Sequence, residues 1–306
     1  MLSNSSSPII SINLITSIAV CKTAESIILN PITFTINIAV TVSYIYEIMA
    51  EEIMNSGWRR WMESVGDQTM FLTSFFRNVF SGGFEWSEFV RQSYEIGYKS
   101  LTLVSITSFI MGLVLILQLS PTLVDFGAAS ILPQTLAVSI IREMGPIITA
   151  IICAGKIASS IGAELGSMKV TEQIDAMEVS GANPVQYLVV TRILATTLMI
   201  PLLTMIGDVI SLFGGYFALN FTDDVSFTLY FTKCFASLDF TDYLPALVKT
   251  IFFGFAIGFV GCYKGFNSNK GTESVGLAAN SAVVTASLWV FFIDMLAVQI
   301  TNLLFY

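Results

Sequence analysis

Five long, predominantly apolar stretches follow one another between residue 100 and the C-terminus, and short segments with charged residues separate them. Each stretch is about as long as a helix needs to cross a bilayer hydrocarbon core of roughly 30 Å. We expect the first helix to end at Pro121, because proline cannot continue helical hydrogen bonding. The pattern predicts an all-α, polytopic membrane protein with core helices over residues 100–120, 134–162, 188–218, 243–263 and 275–304.

The residues before the first stretch divide into two parts. Residues 83–98 mix aromatic and charged side chains, which predicts a helix lying in the headgroup plane, with a soluble connector as the alternative. Residues 26–46 carry no charge but are interrupted by Pro31. They form a sixth span, a processed leader, or sequence upstream of a start near Met54 or Met62. We therefore divide the chain into an N-terminal extension over 1–60, a cytoplasmic or interfacial helical region over 61–99, and a membrane domain over 100–306.

The composition supports the membrane assignment, since 54% of the residues are hydrophobic and 12% are charged, whereas a soluble domain carries roughly 25% charged residues. The net charge is −8, but the acidic residues are scattered, so we predict no nucleic-acid partner. Histidine is absent, which excludes Ser-His-Asp hydrolases and H-E-x-x-H zinc enzymes. The cysteines lack metal-binding spacing and are interpreted as small hydrophobes: Cys21, Cys153, Cys234 and Cys262. We predict no catalytic residue and no metal site.

Positive charges indicate how the core is oriented, because cytoplasmic loops retain Lys and Arg. They cluster before the first stretch, around the connection between the second and third, and between the fourth and fifth, at Arg77, Arg91, Lys99, Lys156, Lys169, Arg192, Lys264 and Lys270. Residues 221–242 instead set four carboxylates against the single cation Lys233, at Asp223, Asp224, Asp239 and Asp242. The first group of loops is therefore predicted to be cytoplasmic, and the 221–242 loop and Tyr306 to face outward.

The connection between the second and third stretches has a helical pattern over residues 167–179. Apolar side chains fall on one face, at Val170, Ile174 and Met177, and carboxylates lie roughly opposite, at Glu172, Asp175 and Glu178. A helix of this length is not stable alone in water, so it must pack on the membrane domain, on another protein, or on both. A loop helix that only covers the ends of the spans is the alternative.

Several motifs in this region carry a family resemblance. They are REMGP at 142–146, AGK at 154–156, AELGSMKVTEQIDA at 163–176, Asn183-Pro184, Pro201-Leu202-Leu203, Gly214-Gly215 and CYKG at 262–265. From about Arg91 to the C-terminus, the sequence resembles the MlaE-type permease family of ABC transporters, which move phospholipid or related lipids. The match departs from the family at Lys156, where arginine is more common, and this weakens any expectation of bidentate headgroup binding.

The resemblance implies a coupling helix at about residues 163–180 that docks on a cytoplasmic ABC ATPase. Its candidate contact residues are Glu164, Met168, Lys169, Thr171, Glu172, Gln173 and Asp175. The family further implies a homodimer, membrane lipids as substrate, and a secreted or periplasmic MCE-type lipid-binding partner. The sequence contains no G-x-x-x-x-G-K-[ST] motif, so ATP and Mg²⁺ are expected on the ATPase and no cofactor on this chain.

Charged residues inside the apolar stretches are the other candidate site, because an unpaired charge in a bilayer costs several kcal/mol. Arg142 and Glu143 are adjacent and need separate partners, and the available groups are Asp208, Lys249 and Asp294. This set forms either a structural ion-pair network, a gate, or a headgroup contact. Met111, Leu115 and Gln118 share one helix face and are candidates for the lipid path, with core packing as the alternative.

Pairs of small residues predict places where helix backbones approach closely, either within one subunit or at a dimer seam. They are Gly254 and Gly258, Gly162 and Gly166, and the adjacent Gly214 and Gly215.

The leading hypothesis is the non-catalytic permease subunit of a lipid-transporting ABC transporter in a bacterial inner membrane, with the chloroplast inner envelope as the second location considered. An ion-coupled secondary transporter with Glu143, Asp208 and Asp294 as carriers is the alternative. A membrane anchor or assembly scaffold is a third hypothesis.

Overall fold

A computed structural model describes residues 62, 64–80, 84–222, 225–268 and 271–305. The chain divides into two compact units, Met1–Met70 and Phe71–Tyr306. In the first unit residues 64–70 are helical, and the expectations for residues 1–60 lie outside the described residues. So do those for Asp223, Asp224, Lys270 and Tyr306. The second unit holds the membrane core.

Regular structure in the described part of the second unit is entirely helical. In chain order the helices are α1 (residues 71–79), α2 (Trp86–Asp125), α3 (Leu132–Ser139), α4 (Gly145–Cys153), α5 (Ser159–Val170), α6 (Gln173–Val179), α7 (Thr191–Thr222), α8 (Phe227–Ala236), α9 (Phe240–Phe266) and α10 (Thr272–Phe305). A 3-10 turn, Ala129–Ile131, precedes α3, and π-helical turns occupy Ile140–Met144, Ala154–Ala158 and Val185–Val190.

The prediction of five spans is confirmed. Five helical runs among the described residues are long and apolar enough to cross a membrane. The first to fifth spans are Trp86–Asp125, Ala129–Val170, Val185–Phe221, Phe240–Phe266 and Thr272–Leu304.

The expected end of the first span at Pro121 is wrong, because α2 continues to Asp125. Proline removes a single N–H, and the next turn keeps its hydrogen bonds, including Phe126 N to Thr122 O at 3.2 Å. The chain reverses instead at Gly127, whose φ of 68° is left-handed and therefore suits glycine.

The expected separate interfacial helix at residues 83–98 is also not observed, since α2 runs unbroken for 40 residues from Trp86. Its first turns are polar on the buried side, with Glu88 and Gln92 each 5% exposed. A stripe at four-residue spacing faces outward, at Trp86, Val90, Tyr94 and Tyr98. Aromatic side chains of this kind are common at the membrane–water interface. The composition of this segment therefore still indicates an interfacial position, although the segment is the beginning of α2 and not a separate helix.

The second span combines three α-helices with two π-helical turns. The first π turn, Ile140–Met144, ends two residues before Pro146. Proline cannot donate the bond that would close an α-turn onto Arg142 O, so the helix geometry changes at this point. The turn contains the adjacent charged pair of the REMGP motif.

Glycines allow the spans to approach closely, as their spacing predicted. A Cβ added at Gly112 in the first span would overlap Ser211 O and come within 2.9 Å of Gly215 N in the third. A Cβ at Gly254 in the fourth span would lie 2.7 Å from Thr196 O in the third. Backbone-to-backbone packing of this kind is typical of membrane helices, which gain no hydrophobic driving force from each other.

Helix α8 covers one end of the bundle within the predicted outward loop. Tyr230 is buried, and its hydroxyl donates to Leu212 O at 3.0 Å. The Cys234 thiol donates to Pro133 O at 3.3 Å, which joins α8 to α3. Cys153, Cys234 and Cys262 are free and buried, in agreement with their interpretation as small hydrophobes, and Cys21 lies outside the described residues.

Candidate functional site

The predicted coupling helix is two helices with a turn between them. Helix α5 ends at Val170 and α6 begins at Gln173, so the single amphipathic helix expected over residues 167–179 is not observed. Glu172 forms the break, with a left-handed φ of 59°. This conformation is costly for a residue with a Cβ, so the surrounding packing must hold the turn in place.

The apolar side of this connection packs as its pattern predicted. Ile174 is fully buried, and Val170 and Met177 are half-buried. Ile174 belongs to the main hydrophobic core, which anchors a helix of only seven residues to the spans. The alternative in which the helix rests on another protein alone is therefore excluded.

The polar side is open to solvent. Thr171, Glu172, Gln173 and Asp175 are all exposed, whereas Met168 and Lys169 are half-buried. Lys169 Nζ lies 2.7 Å from Asp175 Oδ1, an ion pair that joins α5 to α6 across the turn. At the far end of α6, Val179 is 90% exposed, an apolar side chain open to solvent that the pattern had not indicated.

Glu164, the first of the candidate contact residues, already has a partner within the chain. Its Oε1 lies 2.7 Å from Nη2 of Arg192, which is fully buried at the start of the third span. Arg192 had been counted as a loop cation; the structure places it inside a helix, and the lone arginine in the apolar run 188–200 was the signal for this.

Further polar contacts hold the same end of the bundle, near Glu88, Glu164 and Arg192. Asn183 Nδ2 donates to Asn78 Oδ1 of α1 at 2.6 Å. The Tyr187 hydroxyl donates to Glu88 Oε2 of the first span at 3.4 Å. The loop between α6 and the third span is therefore bound to α1, and the first turn of the third span is bound to the first span.

The intramembrane charges form two groups of ion pairs. Lys249 Nζ lies 2.8 Å from Glu143 Oε2 and 3.0 Å from Asp294 Oδ1, so one buried ammonium joins the second, fourth and fifth spans. Arg142 Nε lies 3.5 Å from Asp242 Oδ1. Arg142 and Glu143 thus have separate partners, as helix geometry requires. Asp242 was not among the predicted partners, because it had been counted with the outward loop although it lies in the first turn of α9.

Asp208 does not join this network. It is 7% exposed, and its Oδ1 has no hydrogen-bond partner among the described residues. The carboxylate packs against Gly145, where an added Cβ would overlap Oδ1. Only the absence of a side chain at Gly145 makes room for it.

An apolar groove on the surface of the bundle reaches the charged network. It encloses about 430 Å³ between the fourth and fifth spans, with walls that include Leu244, Val248, Phe252, Leu296 and Ile300. Lys249 lies at its edge, and a small polar pocket next to it includes Arg142, Glu143 and Asp242. A cavity of about 410 Å³ lies elsewhere, against Asp208 and Phe231.

The predicted lipid-path residues lie apart from these cavities. Met111 and Leu115 are half-buried and Gln118 is exposed on the first span, and none of the three lines either cavity. Leu115 packs against the core cluster around Ile116.

Together, five apolar spans, a braced charged core and an exposed short helix at one end define an integral membrane protein of the transporter class. Residues 89–300 match the family model described as "Permease MlaE". A "Probable ABC transporter permease protein" of Rickettsia typhi is 37% identical over 80% of this chain and 94% of its own length. Proteins with the same description occur in Pyropia yezoensis, at 35% identity over 67% of this chain and 78% of that protein, and in Synechocystis, at 31% over 71% and 82%. The chain belongs to the MlaE permease family, and it is an ABC transporter permease.

Proposed function

We propose that this chain is the non-catalytic permease subunit of an ABC transporter that moves phospholipid or a related lipid. It acts as a homodimer with a separate cytoplasmic ATPase and an MCE-type lipid-binding partner, in a bacterial inner membrane. The observation that carries the proposal is helix α6, which is anchored by buried Ile174 yet presents Glu172, Gln173 and Asp175 to the outside.

The shape of α6 supports contact with a second protein. A helix that only covered the ends of the spans would need its buried face alone. Here the turn at Glu172 sets an acidic surface beside an exposed apolar tip at Val179. An apolar contact supplies binding energy and charged groups fix the register of docking. The positive-inside count favours a cytoplasmic location for this end, where ATP is available.

The groove between the fourth and fifth spans supports an amphiphilic substrate. Its volume of about 430 Å³ lies within the range of roughly 300–1,000 Å³ that ligand sites occupy. Apolar walls suit an acyl chain, and the adjacent guanidinium of Arg142 and carboxylate of Glu143 suit a polar headgroup. A lipid has this combination of an apolar and a charged part.

The fifth span supports a homodimer. Only 17% of its most apolar window is buried inside one chain, against 56% for the fourth span. The exposed face includes Leu288, Phe292 and Met295. A second copy would cover part of this face, and lipid would cover the rest.

The ion-coupled alternative is weakened by the ion pairs. Glu143 and Asp294 both contact Lys249, so they are committed to holding three spans together. Asp208 is the one candidate carrier of the three without a described partner for Oδ1, and it is the observation that favours this second hypothesis.

A reconstituted assembly tests the proposal. We would place the permease and its ATPase in liposomes and measure both ATPase co-purification and ATP-driven transfer of a fluorescent phospholipid. The double variant Glu172→Lys/Asp175→Lys should lose the ATPase and the transfer, whereas the control Glu273→Lys, an exposed carboxylate outside the coupling helix, should retain both. Normal assembly in the double variant would discard the coupling assignment. Transfer that follows a pH gradient and not ATP would favour the ion-coupled alternative.

A further inference from the structure

Arg192 is the most completely buried charged side chain among the described residues, with 0% exposure. Its Nη1 donates to Leu188 O at 2.9 Å, inside the π-helical turn that opens the third span. Its Nη2 lies 2.7 Å from Glu164 Oε1. The remaining guanidinium nitrogen, Nε, has no partner in the described part of the chain. Glu164 is therefore the ion-pair partner of this buried cation in the described part of the chain, and Glu88 on the first span also interacts with it electrostatically.

Glu164 lies on α5, six residues before that helix ends at the turn leading to α6. Its carboxylate therefore links α5, the helix that leads into the turn at Glu172, to the beginning of the third span. The pair is direct, and it needs no intervening loop to transmit a displacement. Because the guanidinium of Arg192 is buried, separation from Glu164 would leave a cation unpaired away from water, so the two helices move together or separate at high cost.

The covalent connection between these helices is itself restrained. Asn183 is hydrogen-bonded to Asn78 on α1, and Tyr187 is hydrogen-bonded to Glu88 on the first span. Asn183, in the loop after α6, is thus held by α1, whereas Tyr187, inside the third span, is held by the first span. The Glu164–Arg192 pair bypasses these two contacts and reaches the third span from the side.

We infer that Glu164 is a positioning residue that transmits movement of α5 and α6 to the third span through Arg192, rather than a contact of the ATPase. This inference rests on the proposed function, because it requires an ATPase that pushes on α6. Half of the Glu164 side chain surface is open, at 47%, but its charge is committed to Arg192.

A double-mutant cycle tests the inference, because Arg192 is buried and cannot touch any partner protein. We would compare Glu164→Gln, Arg192→Lys and the double variant in the reconstituted assembly. For each we would measure ATPase co-purification, ATP hydrolysis and lipid transfer on the same sample. Each single variant should retain the ATPase but move about 2- to 30-fold less lipid per ATP hydrolysed, the range found for residues that carry coupling between sites.

The double variant should be no worse than the single variants, since both changes weaken the same contact: Glu164→Gln removes its charge, and Arg192→Lys removes the forked guanidinium that reaches Glu164 and Leu188 O together. Glu164→Asp, which keeps the charge, should recover part of the transfer per ATP. Loss of the ATPase in Glu164→Gln, or effects that multiply in the double variant, would overturn the inference. If Arg192→Lys does not fold, Glu164→Gln alone decides, since unchanged transfer per ATP with the ATPase bound would also overturn it. Absence of ATP-driven transfer in the unmodified assembly would instead refute the proposed function.

Discussion

Lys249 Nζ lies 2.8 Å from Glu143 Oε2, so a buried ammonium on the fourth span holds a carboxylate on the π-helical turn of the second. Asp294 on the fifth span accepts from the same ammonium at 3.0 Å. Three spans therefore depend on one side chain that is 5% exposed. The free-energy cost of removing this ammonium from water is offset only while both carboxylates remain in place.

Replacing Lys249 with Met should destabilise the bundle by about 3 kcal/mol, because it leaves two carboxylates unpaired inside the membrane domain. The measurement is thermal unfolding of the purified permease in detergent. Lys99→Met is the control, since Lys99 pairs with Glu95 at 2.8 Å on the exposed side of α2. A surface pair of this kind contributes roughly 0–1 kcal/mol. Equal stability losses in the two variants would contradict the bracing role of Lys249.

Gly112→Ala should weaken the contact of the first and third spans by about 1–3 kcal/mol, because the added methyl overlaps backbone at Ser211. The same substitution at Gly276, in the fifth span, meets nothing within 4 Å. There alanine should stabilise the helix by roughly 0.5–1 kcal/mol, because it loses less backbone freedom on folding than glycine does. Melting temperatures that shift in opposite directions are the expected result, and a shared shift would argue against close packing at Gly112.

Cys234 should resist alkylation at neutral pH. Burial raises the pKa of its thiol to about 11, so at pH 8 roughly one thiol in a thousand is the reactive thiolate. The thiolate fraction, and with it the labelling rate, should rise as the pH approaches 11. Iodoacetamide labelling followed by peptide mass spectrometry measures this, with Val179→Cys as the exposed reference site. Labelling of Cys234 at the rate of the reference site at pH 8 would show that α8 does not pack against α3 as the structure has it.

Asp208→Asn should leave ATP-driven lipid transfer within about twofold of the unmodified protein and should not lower its stability. The substitution keeps the shape that fits against Gly145 and removes a buried carboxylate whose Oδ1 has no described partner. Transfer and thermal unfolding are measured on the same preparation. Abolished transfer with normal folding would instead support a carrier role for Asp208 and the ion-coupled alternative.

The number and placement of the spans could be predicted because hydrophobicity over about 20 residues is a local property that the bilayer selects directly. The exposed acidic side of the predicted coupling helix could be predicted in the same way, from the helical period of residues 167–179. The turn at Glu172 could not be predicted, since its left-handed backbone is held by packing of Ile174 against distant residues. Continuation of α2 through Pro121 was missed for a related reason, because the remaining hydrogen bonds and Gly127 decide where that helix ends.

The sequence alone determined that this chain crosses a membrane, that it resembles one permease family, and that charged residues at 142 and 143 require partners. Only the tertiary structure decided which partners these are. It assigned Asp242 to Arg142, Lys249 to Glu143 and Arg192 to Glu164, and it left Asp208 outside the network. The physical reason is that a charge must be neutralised wherever it is buried, but its partner is fixed by how helices far apart in the chain pack together.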